Sequence, residues 1–113
     1  MATLNQCSFI GRLGKDPALE VTSEGKPYTK FSLAVDQGKD QEPLWLNITC
    51  WGELAETMER LLYKGAQVFV QGKLKRSSYK GKDKVERQPL EITATIIELL
   101  DKAKKPDEQT EKG

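Results

Sequence analysis

Apolar and polar residues alternate along five stretches of the chain, and this two-residue period is typical of β-strands that bury one face. The predicted strands cover residues 5–13, 29–35, 44–51, 67–79 and 90–96. A short extended piece is expected around Val21, before a turn at residues 23–27. Residues 80–84 are predicted to form a hairpin loop between the last two strands.

A different period marks residues 53–64, the stretch that predicts a helix. Leu54, Met58 and Leu61 recur at helical spacing, and Gly65 supplies the stop at the C-terminal end. Three strands, one helix and two strands follow in this order, with glycines where a small barrel must bend sharply. This order fits an all-β fold, the five-stranded OB barrel with one helix between its third and fourth strands.

The chain is long enough for one domain, which we place at residues 1–100. Its 113 residues are 37% hydrophobic, and a chain of this size buries roughly two-thirds of its unfolded surface without a metal or disulfide. Residues 101–113 contain one alanine and no larger hydrophobic side chain, so we expect a short disordered polar tail. We find neither an apolar run of the ~18 residues that span a membrane nor a secretory signal, and therefore expect a cytoplasmic protein without a membrane partner.

Enzymatic chemistry has few candidates. The chain contains no histidine, which removes the commonest general base and the commonest metal ligand. Cys7 and Cys50 fit no CxxC or zinc spacing, and we expect two small buried hydrophobic residues. The glycine-containing run at residues 11–16 lacks the GxxxxGKS/T spacing of a phosphate loop. We therefore expect no enzyme, no cofactor and no metal site.

Both tryptophans of the chain fall on the polar face of the third predicted strand. Trp45, Asn47, Thr49 and Trp51 share that face, whereas the opposite face is apolar. The two rings are separated by roughly 20 Å along a strand that rises about 3.3 Å per residue. An indole among polar neighbours suits a flat partner such as a nucleic-acid base. The alternative is that either ring packs beneath a loop or in a subunit interface.

Positive charge is concentrated in one segment, although the net charge of the whole chain is only +1. Residues 73–87 carry seven basic side chains against two acidic ones. Such a segment on a mildly acidic body is typical of a phosphate-binding surface, and the alternative is a solvated lysine-rich hairpin. Rings for bases and lysines for phosphates together predict sequence-tolerant binding of single strands. The predicted nucleic-acid-binding residues are Arg12, Lys30, Trp45, Asn47, Trp51, Lys73, Lys75, Tyr79, Lys80, Lys82 and Lys84.

Four sequence motifs resemble those of a known family in identity, order and spacing. They read IGRLGKDP at residues 10–17, FSLAV at 31–35, WGELAE at 51–56 and LYKGAQVFVQGKL at 62–74. Together they make residues 5–100 similar to the bacterial single-stranded DNA-binding protein family. The resemblance implies an OB fold that binds single-stranded DNA without sequence preference. It also implies a homotetramer that acts in DNA replication, recombination and repair at the nucleoid.

The resemblance assigns roles to particular positions. Trp45 and Trp51 fall where the family places stacking aromatics, Tyr79 falls where it often has a third, and Lys75 falls where it has a basic phosphate contact. The residues alone give a separate reason for self-association. An exposed first strand with Ile10 on its polar side favours pairing with a second copy of the chain.

Four features depart from the family pattern. The loop at residues 37–43 has no aromatic residue. Leu46 and Asn47 stand where members often have polar or basic side chains, and Glu53 replaces a commonly basic residue. Members typically end in an acidic tip with a final apolar residue, whereas this chain ends in Glu-Lys-Gly. We therefore expect no binding to replication or repair proteins that recognise such a tip.

Two other functions would use the same residues. One is a tail-less accessory OB protein, such as a primosomal helper, that works mainly through protein contacts. The other is an RNA-binding OB domain, because the residues that recognise a 2′-hydroxyl have no sequence signature.

Overall fold

The computed structural model describes residues 2–76, 79–80, 86–87 and 90–102, the two short pairs by their backbone alone. Its helix, α1, spans Gly52–Leu61. The strands, numbered in chain order, are β1 Cys7–Leu13, β2 Ala18–Val21, β3 Pro27–Val35, β4 Leu44–Trp51, β5 Gln67–Arg76, β6 Tyr79–Lys80, β7 Glu86–Arg87 and β8 Leu90–Leu99.

The five long strands close into a barrel, so the predicted OB-type fold is confirmed. β1, β5, β8, β4 and β3 follow one another around the barrel. β3 returns to β1 through the pairs Arg12–Ala34 and Leu13–Leu33. These pairings are antiparallel, except for the parallel one between β4 and β8. α1 lies between the third and fourth of the long strands, as predicted.

Two short additions accompany the barrel. β2, predicted only as an extended piece around Val21, pairs antiparallel with β3 along its whole length. β6 and β7 pair with each other in a separate two-stranded sheet. Of the strand predicted for residues 67–79, β5 covers Gln67–Arg76, and residues 77–78 lie outside the described residues. Residues 81–85, which include most of the predicted hairpin loop, lie outside the described residues.

The interior is filled by apolar positions that alternate along the strands. The buried strand residues include Leu13, Phe31, Leu33, Ile48, Cys50, Val68, Val70 and Ile92. α1 adds Ala55 and Met58. Thr29 Oγ1 donates a hydrogen bond to the Ala55 carbonyl at 2.8 Å, which ties the helix to the barrel. Burial raises the pKa of the Cys50 thiol to about 11, so this residue acts as the small apolar side chain that was predicted.

The helix ends earlier than its apolar pattern predicts. Leu62 is already extended, with φ −91° and ψ 158°, although its N–H still donates to the Met58 carbonyl at 2.9 Å. The Leu62 side chain is completely buried, so the chain leaves the helix without withdrawing this residue from the core. Gly65 then adopts a φ of +87°, a left-handed conformation that favours glycine, in the turn that leads to β5.

A bulge in β8 changes which of its residues face the core. The register between β5 and β8 shifts between Gln71 and Gly72, and Thr95 is the extra residue. Thr95 Oγ1 donates a hydrogen bond to the Gln71 carbonyl at 3.3 Å. Ile97 is consequently buried, whereas Ile96 is exposed.

The last described residues are held against the barrel. Asp101 Oδ2 accepts hydrogen bonds from the Gln67 N–H at 2.9 Å and from Arg12 Nη1 at 3.1 Å. The Tyr63 hydroxyl donates to the Lys102 carbonyl at 2.7 Å. Residues 103–113, which form most of the predicted tail, lie outside the described residues.

Both cysteines are free thiols, and only Cys50 is buried as predicted, because Cys7 is partly exposed. Across the described ranges, the side chains of His, Cys, Asp and Glu form no group of three or more that could hold a metal ion. In the same part of the chain, no helix has the length and apolar character needed to cross a membrane.

Candidate nucleic-acid interface

The cross-strand register gathers most of the predicted binding residues on one surface of the barrel. Residues that pair directly across neighbouring strands point to the same side of a sheet. Trp51 of β4 pairs with Tyr28 of β3. Thr93 of β8 pairs with both Thr49 of β4 and Lys73 of β5. The part of this surface here called the outer face is formed by Tyr28, Lys30, Trp45, Asn47, Trp51, Lys73 and Lys75.

Trp45 lies near the start of β4 and is 56% exposed. One edge of its indole lies against Gly14, because a Cβ atom at Gly14 would be 2.7 Å from Trp45 Cζ3 and 3.1 Å from Cη2. Asn47, the next residue of β4 on the outer face, is also exposed. The ring therefore rests on backbone at one edge while more than half of it is open to solvent.

Trp51 ends β4 and forms an aromatic pair with Tyr28. The two ring centroids are 5.0 Å apart, and the ring planes are tilted by 36°. Trp51 is 39% exposed. Neither tryptophan is therefore buried within the chain, and core packing accounts for neither ring.

Two lysines accompany this aromatic pair. Lys26 Nζ lies 5.6 Å from the centroid of the Trp51 ring, and Lys30 Nζ lies 5.6 Å from that of Tyr28. Both distances fall within the range of a cation–π contact. Lys30 was among the predicted residues, whereas Lys26 was not. The contacts place a positive charge next to each ring.

Tyr28 is the aromatic residue that sequence reasoning missed. Its hydroxyl donates a hydrogen bond to Glu20 Oε1 at 3.1 Å. That bond, with partial desolvation and the negative charge of Glu20, raises the pKa of Tyr28 above its ordinary value. The signal was present in the alternation of β3, because Tyr28 stands two residues before Lys30 and shares its face.

Acidic side chains also reach the outer face. Thr49, predicted as a polar-face residue, is buried, and its Oγ1 donates to Glu91 Oε2 at 3.4 Å. Glu91 is the cross-strand partner of Lys75. Together with Glu20, it places negative charge among the lysines. The outer face is thus mixed in charge rather than uniformly basic.

The remaining predicted residues are not members of this group in the described structure, although Arg12 shares the side of Trp45, because both pair with Ala34. Arg12 Nη1 donates to the Gly65 carbonyl at 2.8 Å and forms an ion pair with Asp101 at 3.1 Å. Its guanidinium is therefore engaged with the barrel itself. Tyr79 and Lys80 belong to β6, which is described by its backbone alone. Lys82 and Lys84 lie outside the described residues.

Comparison with known proteins gives consistent matches. The model of the single-strand binding protein family matches residues 4–100. A single-stranded DNA-binding protein of Neisseria meningitidis is 32% identical over 105 residues, which cover 87% of this chain and 60% of the relative. One from Xanthomonas campestris is 34% identical over 104 residues, covering 86% and 60%. Single-stranded DNA-binding protein 2 of Chlorobaculum tepidum is 34% identical over 121 residues, covering 100% and 82%.

The chain spans about 60% of the length of the Neisseria and Xanthomonas relatives. The family match extends across the barrel and includes every described residue of the outer face. It agrees with the prediction of a binding protein rather than an enzyme. The chain belongs to the single-strand binding protein family.

Proposed function

We propose that this protein binds single-stranded DNA without sequence preference, through stacking of bases on the outer face and contacts of lysines with phosphates. The observation that carries the proposal is the pair of exposed tryptophans, Trp45 and Trp51, on one side of β4. The relatives from Neisseria and Xanthomonas are named single-stranded DNA-binding proteins, and this supports single-stranded DNA as the ligand of this chain.

Stacking suits this surface because every base has a flat π-face, whatever its identity. Base stacking on an aromatic side chain contributes about 1–3 kcal/mol per base, a magnitude known from single-strand-binding proteins as a class, this family among them. Two rings held roughly 20 Å apart along β4 leave room for intervening nucleotides. Binding through two such rings therefore tolerates any base sequence. It also favours single strands, because duplex DNA hides its base faces.

Phosphate contacts supply the rest of the affinity. Lys73 and Lys75 are exposed on β5, and Lys26 and Lys30 lie beside the Trp51–Tyr28 pair. Each lysine that neutralises a phosphate releases counterions, and this makes binding weaker as salt rises. Tyr79, Lys80, Lys82 and Lys84 stay predicted members of the same surface.

We further propose that the protein assembles as a homotetramer. β1 pairs with β5 from Cys7 to Arg12, but β3 reaches only Arg12 and Leu13. Within the described barrel, most of the second edge of β1 has no partner strand. This edge is therefore available to a strand from another copy of the chain. Ile10 and Ile96 are 51% and 42% exposed on the outside of this region, and covering them would favour association of copies.

The proposed setting is DNA replication, recombination and repair in the cytoplasm, at the nucleoid. Single strands are exposed in all three processes, and a sequence-independent binder serves each of them. The alternative of an accessory OB protein predicts that the outer face binds a protein and that single-strand affinity is weak. The RNA-binding alternative predicts a preference for RNA oligonucleotides.

Alanine substitution of each tryptophan tests the proposal. Trp45→Ala and Trp51→Ala should each weaken binding of a labelled oligodeoxythymidine by about 1–3 kcal/mol. The salt dependence should hardly change, because a ring releases no counterions. Fluorescence anisotropy of the labelled strand measures the affinity, and thermal melting confirms the fold. A folded Trp51→Ala variant with wild-type affinity at all salt concentrations would contradict the assignment of that ring.

A further inference from the structure

Tyr28 is restrained at several points of its ring. Its ring centroid is 5.0 Å from that of Trp51, and Lys30 Nζ lies 5.6 Å from its own centroid. Its hydroxyl donates to Glu20 of the neighbouring strand β2 at 3.1 Å. A side chain with these contacts is anchored on the outer face rather than free to follow a ligand.

The position of Trp51 depends on its contact with Tyr28, whereas Trp45 has a different support. Gly14 lies against the edge of the Trp45 ring, whereas Trp51 stands at the last position of β4, next to the start of α1. β8 pairs with β4 only at Ile48 and Thr49, so it does not reach Trp51. The described cross-strand partner of Trp51 is Tyr28.

We propose that Tyr28 is a positioning residue for Trp51, holding the indole in the orientation in which a base stacks on it. This inference rests on the proposed function and assigns to Tyr28 a role in it. A ring that is already ordered loses less conformational entropy when a base binds, so an anchored neighbour increases affinity without touching the ligand. Glu20 contributes by anchoring the Tyr28 hydroxyl, and Lys26 adds a cation beside Trp51.

The arrangement explains why an acidic residue is present beside a DNA-binding surface. The Glu20 carboxylate repels phosphate, so its presence is unfavourable if it has no other role. Through its hydrogen bond to Tyr28 it restrains the aromatic pair from the β2 side. The repulsion between the Glu20 carboxylate and a DNA phosphate is small, because both charges are exposed to solvent and are screened by salt.

A double-mutant cycle tests the proposal on the whole chain. Tyr28→Val removes the ring and keeps a strand-favouring side chain, whereas the matched control Tyr28→Phe keeps the ring and removes only the hydroxyl. Tyr28→Val should weaken oligodeoxythymidine binding by about fivefold, and Tyr28→Phe by less than about twofold. In the Trp51→Ala background, Tyr28→Val should have less than about a twofold effect, because its role acts through Trp51.

A second measurement observes the indole itself. Trp45→Phe leaves Trp51 as the only tryptophan, so its steady-state fluorescence anisotropy reports the mobility of that ring. Adding Tyr28→Val should lower this anisotropy in the free protein, and adding Tyr28→Phe should lower it less, because the ring remains and only the bond to Glu20 is lost. Tyr28→Leu replaces Tyr28→Val in both experiments if the valine variant does not fold.

The outcomes separate this inference from the proposed function. Additive losses from Tyr28→Val and Trp51→Ala would show that Tyr28 contacts DNA independently, and would overturn the positioning role alone. Unchanged affinity or unchanged anisotropy in the Tyr28→Val variant would also overturn it while leaving the proposed function standing. Unchanged affinity of a folded Trp51→Ala variant would overturn both the positioning role of Tyr28 and the stacking role of Trp51 in the proposed function.

Discussion

Gly14 lies directly against the indole of Trp45. A Cβ atom at position 14 would be 2.7 Å from Cζ3 of that ring and 2.9 Å from the Ser32 hydroxyl. Such separations are shorter than van der Waals contact, so any larger residue must displace the ring. The absence of a side chain at Gly14 therefore sets where Trp45 lies on the outer face.

Gly14→Ala should weaken single-strand binding while changing stability little. The displaced groups are the end of an exposed side chain and a hydroxyl rather than backbone, so both can move at small cost to folding. We expect a loss of about 0.5–1.5 kcal/mol in binding, part of the stacking contribution of one ring. Anisotropy titration with a labelled oligonucleotide measures it. The same substitution in a Trp45→Ala protein is the control, and an equal loss there would rule out an effect through the ring.

Lys75→Ala should flatten the salt dependence of binding. Each phosphate contact on a single strand contributes about 0.7 to the slope of log affinity against log salt, so the slope should fall by that amount. Titrations across a salt series measure it. Lys64 lies in the turn after α1 and not on the outer face, so Lys64→Ala is the matched control and should leave the slope unchanged. A wild-type slope for Lys75→Ala would remove this lysine from the interface.

Glu91→Gln should strengthen single-strand binding. The substitution removes a negative charge from the outer face, and the amide oxygen can still accept the hydrogen bond from the buried Thr49. We expect affinity to rise by about two- to threefold at low salt, with the gain shrinking as salt screens the charge. Titrations at low and high salt compare the two proteins. Weaker binding by a variant of wild-type melting temperature would show that the carboxylate has a direct part in binding.

Sedimentation equilibrium should give the mass of four chains at tens of micromolar. Ile10→Glu places a charge on an exposed position of β1, and association of copies through that region would then bury like charges. We expect this variant to sediment at lower mass with an unchanged circular dichroism spectrum. Wild-type protein that sediments as a monomer would defeat the proposal of a tetramer.

The strand alternation was enough to predict the barrel and the exposed tryptophans. In β4 the predicted and observed bounds coincide, and the two-residue period places Trp45 and Trp51 on one side whatever their neighbours are. The composition of that side, polar around both rings, carried the functional interpretation. Local pattern suffices here because the face of a residue within one strand depends only on that strand.

Features that depend on contacts between strands were not predictable in the same way. The pairing of Tyr28 with Trp51 follows from the register of β3 against β4, and no period within either strand specifies that register. Beyond the bulge at Thr95, the residues of β8 that face the core are the odd-numbered ones instead of the even-numbered ones. Leu62 continues the apolar spacing of the helix, yet it lies beyond the helix end. An extended residue can be buried in the core as well as a helical one, so the spacing does not specify the helix end.

The most direct test of single-strand binding by the outer face is a competition titration followed by tryptophan fluorescence. Oligodeoxythymidine should quench the emission of Trp45 and Trp51 saturably as bases stack on them. Unlabelled single-stranded DNA of mixed sequence should displace it at similar concentrations, whereas duplex DNA of the same sequence should compete far more weakly and matched RNA less well than DNA. Equal competition by the duplex, or saturable binding without any change in tryptophan emission, would contradict the account.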